Sequence, residues 1–171
     1  MSAKRLIVAG LAAAIALIEA SSAYADEYRG EKTLGVKIGY NTYNETPLAG
    51  IQFSFRFNKQ LRLAPSVEYF FRHSGLDAFT ANINMEFPIT MSQGSCDLYP
   101  LVGINYSSWN YHNIPANTDD VSSRISRFGI NAGAGFGINL SSSLRLSVSG
   151  VYTIIETFHG ANIAAGIHYR F

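Results

Sequence analysis

The chain has 171 residues, a length that fits one domain, and a formal net charge of +1. Only 15% of the residues are charged while 47% are hydrophobic and 13% aromatic, against about 25% charged in an average soluble protein. This balance excludes a strongly basic nucleic-acid binder, and a single cysteine, Cys96, excludes an internal disulfide and offers no metal-ligand cluster.

The first 25 residues read as an address. Lys4 and Arg5 form a basic start, Leu6 to Ile18 is an uncharged apolar run, and Ala23-Tyr24-Ala25 supplies a small-x-small cleavage site. The run is too short to span a bilayer comfortably, and Glu19 closes it. We expect residues 1–25 to be a cleavable signal peptide and 26–171 to be the mature domain, starting at Asp26. Cleavage removes two of 13 basic residues and one of 12 acidic ones, leaving 11 of each. No later stretch approaches the length of a transmembrane helix.

From Thr33 onward the apolar residues recur with period two, the signature of strands with two unlike faces. Leu34, Val36, Ile38 and Tyr40 share one face, then Ile51, Phe53, Phe55 and Phe57. After a turn at Asn58-Lys59-Gln60, Leu61, Leu63, Val67, Tyr69 and Phe71 oppose Arg62, Ser66, Glu68 and Arg72, and Phe79 to Phe87 oppose Thr80, Asn82, Asn84 and Glu86. Leu98, Val102, Ile104 and Tyr106 alternate with Tyr99, Gly103, Asn105 and Ser107. A polar loop, His112 to Ser123, precedes Phe128 to Ile138, whose opposite face carries Arg127, Asn131 and four glycines. Leu144 to Tyr152 and Ile163 to Phe171 complete the series. Eight such segments, each about the ten residues a tilted strand needs to cross a bilayer, predict an all-β fold: an eight-stranded antiparallel up-and-down transmembrane β-barrel.

Alternation alone also fits a soluble lipocalin, with its apolar face inward. The polar face decides against it. That face is mostly Gly, Ser and Asn with a few charges, suited to a narrow interior rather than to water. Aromatic residues gather in two groups, Tyr40, Tyr43, Tyr69, Phe71, Phe79, Tyr106, Trp109 and Tyr152 towards one end of the strands and Phe57, Phe87, Tyr169 and Phe171 towards the other, as two interfacial belts would require. Tyr169 and the terminal Phe171 also resemble the C-terminal signal read by the barrel-assembly machinery.

The segments "APSVEYFFRHSGLDAFTANINMEFPI", "LYPLVGINYSSWN", "RFGINAGAGFGINL" and "AGIHYRF" resemble the small outer-membrane β-barrel proteins labelled porin-family, especially those of Bacteroidota. The resemblance covers most of Ile51 to Phe171. It implies a barrel in the outer membrane of a Gram-negative cell, without established catalytic residues or cofactor.

The predicted lumen holds a polar network of Lys37, Arg56, Arg62, Glu68, Arg72, Glu86, Arg127, Arg145 and Arg170, with His168 beside it. Arg56 should face Arg62 across a hairpin, with Glu86 diagonally near Arg62. Eight strands leave room only for packed side chains, so this network reads as a plug. Three functions stay open: a structural or binding barrel of the cell envelope, a narrow porin-like channel, and a lipid-modifying enzyme. The nearest catalytic constellation, His73-Ser74 with Glu86, is stretched along a strand, which argues for no enzyme. The outward loops are short except His112 to Ser123, whose Asp119-Asp120 pair reads as a solvated acidic stretch. Expected partners are outer-membrane lipid and the assembly machinery, with no nucleic acid and a monomeric barrel.

Overall fold

A computed structural model describes residues 30–43, 45–73, 75–91, 95–111, 123–155 and 159–171. The signal segment 1–25, Ser74 and the Asp119-Asp120 loop lie outside the described residues.

Among the described residues nine strands follow in chain order: β1 (Lys32–Asn41), β2 (Thr46–Asn58), β3 (Leu61–His73), β4 (Leu76–Glu86), β5 (Ile89–Met91), β6 (Cys96–Tyr111), β7 (Ser123–Asn139), β8 (Leu144–Ile155) and β9 (His159–Arg170). Consecutive strands pair antiparallel except β4 and β5, which both pair with β6, and β9 returns to β1. β4 and β5 are therefore two pieces of one wall strand, so the sheet closes as an eight-stranded barrel. The interruption falls at Phe87-Pro88, where proline cannot donate to the ladder. Phe87 N–H still donates to Pro100 O at 2.9 Å. Closure removes the free edges that would otherwise expose unpaired backbone groups.

Side chains alternate as the sequence predicts. Val36, Ile38, Ile104, Ile130, Val148 and Ile163 stand on the exposed outer wall, while Ser54, Ser66, Asn82, Asn105 and Asn131 are buried inside. This is the reverse of a soluble protein and matches a wall solvated by lipid. Two members of the expected belts depart from it. Trp109 is only 6% exposed and belongs to the interior, because it continues the inward positions of Asn105 and Ser107. Phe87 is buried at the proline break rather than on the outer wall.

Two turns at the end where β1 begins and β9 ends, β2–β3 and β7–β8, are short and self-capped. Asn58 Oδ1 accepts from the N–H groups of Gln60 and Leu61, both at 2.9 Å, and Ser141 Oγ accepts from Leu144 N at 3.1 Å. The last residue is held too: Phe171 N donates to Lys32 O at 3.1 Å. Tyr169 and Phe171 both project outward from this rim.

Candidate functional site: the filled lumen

The interior is built in three tiers. Nearest the termini is an ionic tier. Arg62 and Glu86 are direct cross-strand partners, not diagonal ones, and Arg62 Nε meets Glu86 Oε2 at 2.5 Å. Arg145 donates both terminal amino groups to Asp97, Nη1 to Oδ2 at 2.7 Å and Nη2 to Oδ1 at 2.5 Å. Arg62 Nη1 lies 3.8 Å from Asp97 Oδ2, which joins the two pairs. Tyr99 sits between the guanidiniums, its ring centroid 4.8 Å from Arg62 Cζ and 5.9 Å from Arg145 Cζ. Forks of this kind are the strong, geometrically specific form of ion pair, and the aromatic face adds attraction. Two glycines make room for them. A Cβ at Gly135 would overlap the Tyr99 ring and one at Gly137 would overlap the Arg145 guanidinium.

Arg56 faces Arg62 as expected. Its Nε donates to Asn58 O at 3.2 Å and its Nη2 to Lys59 O at 2.7 Å, so it clasps the β2–β3 turn.

The middle tier is mostly uncharged. Lys37 Nζ meets Glu68 Oε1 at 2.6 Å, and Asn82 Nδ2 donates to the same oxygen at 2.9 Å. Asn82 Oδ1 accepts from Asn105 Nδ2 at 2.6 Å and from Asn131 Nδ2 at 2.9 Å. Thr153 Oγ1 then donates to Asn131 Oδ1 at 2.9 Å. This chain of bonds crosses the bore from β1 to β8. The far tier is apolar: Leu48, Phe70, Ala78 and Trp109 pack together with Leu76, the Phe70 and Trp109 centroids 5.8 Å apart.

Two water-sized spaces lie among these side chains. A cavity of about 30 Å³ is bordered by Thr80, Asn105, Ser107, Trp109 and Thr153, and one of about 10 Å³ by Gln52, Arg62, Tyr99, Ser147 and His168. The buried Thr80 hydroxyl has no hydrogen-bond partner among the described residues and faces the larger cavity, which has room for a water.

Of the residues predicted for the lumen, Lys37, Arg56, Arg62, Glu68, Glu86 and Arg145 are inside, as is His168. Arg170 lies at the termini rim, half-buried, its Nε 3.1 Å from Glu31 Oε1. Arg72 and Arg127 are exposed and take no part in the bore. A register shift follows Phe70 in β3, and β7 extends past Gly129, its last described pair with β8, so both arginines stand at the far rim. Alternation gives the face of a residue but not its depth.

Asp97 was not among the predicted residues, although it lies two positions before the inward Tyr99. The same alternation would have found it. Ser147 Oγ and His168 Nε2 are 2.8 Å apart, a nucleophile–base spacing that the sequence reading did not single out. It is the only side-chain hydrogen bond His168 makes among the described residues, so no carboxylate orients the ring. Glu86 is held by Arg62 at one end of β4, ten residues and roughly 33 Å along the strand from Leu76, which pairs with His73. That separation sets Glu86 at the opposite end of the strand from the position that pairs with His73, and Ser74 lies outside the described residues. Among the described residues no three His, Cys, Asp or Glu side chains converge on a metal-sized site.

A sequence model of the outer membrane protein beta-barrel domain matches residues 9–171. The chain belongs to that family. Solved structures repeat the architecture. The N-terminal barrel of Pseudomonas aeruginosa OprF matches with a TM-score of 0.64 at 15% identity, over 84% of this chain and 98% of that one. Neisserial surface protein A matches at 0.65 and 11% identity, over 82% and 96%. Ail, the attachment invasion locus protein of Yersinia pestis, matches at 0.61 and 16% identity, over 84% and 99%. No curated protein matches the chain. In a barrel of the outer-membrane family the apolar wall faces lipid and the three tiers occupy the position where a wider barrel has its channel.

Proposed function

We propose that this protein is a sealed outer-membrane barrel that serves the cell envelope through its outer surfaces rather than by conducting solutes or catalysing a reaction. The observation that carries this reading is the bond network across the bore. Side chains from β1, β3, β4, β6, β7 and β8 are joined in the middle tier alone. A solute would have to break these bonds in a low-dielectric interior and leave charged partners unpaired.

In this reading the chain is exported by its first 25 residues and folded by the assembly machinery. Tyr169 and Phe171, exposed at the termini rim, are its recognition signal. The barrel works as a monomer and uses no cofactor. The Ser147–His168 pair holds two strands together inside the bore.

Liposome swelling tests the seal. Vesicles containing the refolded protein should swell in small sugars and in urea no faster than empty vesicles. Faster swelling with a cut-off by solute size would establish the porin-like alternative.

A further inference from the structure

The far rim carries a polar row on the outer wall that the lumen does not explain. Asp77 of β4 pairs with Asn110 of β6, and Asn110 pairs with Arg124 of β7. Asn110 Nδ2 donates to Asp77 Oδ2 at 3.1 Å, and Arg124 Nε donates to Asn110 Oδ1 at 3.0 Å. On the other side Arg72 Nε lies 3.9 Å from Asp77 Oδ1. The buried Asp77 is thus set between two exposed arginines on a ladder four strands wide.

Each guanidinium turns its Nε inward. Among the described residues Arg124 has no second hydrogen bond and Arg72 has none, and the Arg72 side chain is 59% exposed. Among the described residues the terminal amino groups of both take no hydrogen-bond partner. Three interstrand steps of about 4.8 Å place the two backbones roughly 14 Å apart.

Directly beneath this row the wall becomes lipid-like. Phe79 follows Asp77 by two residues, and Phe128 follows Arg124 by four and is 77% exposed. Tyr106 and Phe128 are paired, centroids 5.1 Å apart, and Tyr69 and Phe71 at 5.5 Å. The Ser108 and Ser126 hydroxyls, 3.4 Å apart, lie between the charged row and the rings of β6 and β7. Cationic forks above hydroxyls above exposed aromatics follow the depth profile of a phospholipid, from phosphate through glycerol or sugar to acyl chain.

We propose that Arg72 and Arg124 bind the phosphates of a membrane lipid whose acyl chains lie against Phe71, Phe79 and Phe128. Guanidinium is the side chain best matched to phosphate oxygens. Two separate guanidiniums suit a headgroup that carries two phosphates over one that carries a single phosphate.

Native mass spectrometry of the refolded mature protein in neutral detergent tests this with three lipids: a diphosphorylated acylated disaccharide, phosphatidylglycerol and phosphatidylcholine. The native protein should retain one diphosphorylated lipid, phosphatidylglycerol less well and phosphatidylcholine least. An Arg72→Gln/Arg124→Gln variant should lose about tenfold in retention, the scale of one to two charge-assisted hydrogen bonds. Lys at both positions should restore part of the loss, and Lys32→Gln at the opposite rim should change nothing. Equal retention by native and double-Gln proteins, both shown folded by their unboiled electrophoretic mobility, would overturn the proposal. Displacement of the lipid by inorganic phosphate would overturn it too, by reducing the row to a simple anion site. Should the double variant not fold, Arg124→Gln alone, at an exposed position, must still weaken retention.

Discussion

The two ends of the lumen close the same bore with opposite chemistry. At the termini end the filling is ionic, with Arg62, Glu86, Asp97 and Arg145 bound to one another around Tyr99. At the far end Leu48, Phe70, Ala78 and Trp109 pack together, beside the Asn41–Asn162 amide pair. An ionic plug depends on every member, because a charge that loses its partner in a dry interior is costly. An apolar plug tolerates change in proportion to the volume removed. The contrast shows that inward-facing positions of a small barrel are selected for filling and satisfaction rather than for polarity.

The largest expected effect is at Asp97. Asp97→Ala leaves Arg145 without its fork and Arg62 with one carboxylate, and should lower stability in urea unfolding from vesicles by about 3–5 kcal/mol. Replacing the pair together, Asp97→Leu/Arg145→Met, should recover much of that loss, since no charge of the fork is then stranded. A double variant as unstable as Asp97→Ala would show that the fork matters for packing rather than charge.

At the other end Trp109→Ala should cost about 3 kcal/mol through the cavity it leaves, and Trp109→Phe about 1 kcal/mol in the same assay. Equal costs for the two would mean that Trp109 is not packed as the apolar tier requires. Gly137→Val forces a side chain into the Arg145 guanidinium and should cost about 2 kcal/mol. The same substitution at Gly150, where no atom lies within 4 Å of an added Cβ, should cost far less.

The smallest effect is spectroscopic. Trp109 is the only tryptophan in the chain, so its fluorescence reports one site. Brominated lipids should scarcely quench it, whereas a Trp109→Phe/Tyr106→Trp variant should be quenched strongly. Strong quenching of the native protein would return Trp109 to the lipid belt.

The barrel was legible in the sequence because period-two alternation is a local property that survives without knowledge of neighbours. The depth of each residue was not. Arg72 and Arg127 have inward parity, yet one follows a register shift and the other lies where β7 extends past its last described pair with β8. Trp109 shows the converse error, in which an aromatic near a strand end was read as a belt residue although its parity with Asn105 and Ser107 points inward. The asparagines of the middle tier were placed on the inner face, but the bonds that link them depend on interstrand registers that the sequence fixes only at short turns. Asp97 lies outside the segment predicted from Leu98, because β6 begins two residues earlier, at Cys96.

Single-channel recording in a planar bilayer tests the central claim most directly. The native protein, an Arg62→Ala/Glu86→Ala variant and a Phe70→Ala/Trp109→Ala variant would be compared, each shown folded beforehand. A lumen closed in three tiers predicts silence from all three, because opening either end leaves the Asn82–Asn105–Asn131 tier across the bore. Resolved conductance steps from the folded native protein, altered by the Arg62→Ala/Glu86→Ala substitutions, would contradict the account and make the ionic tier the constriction of a channel.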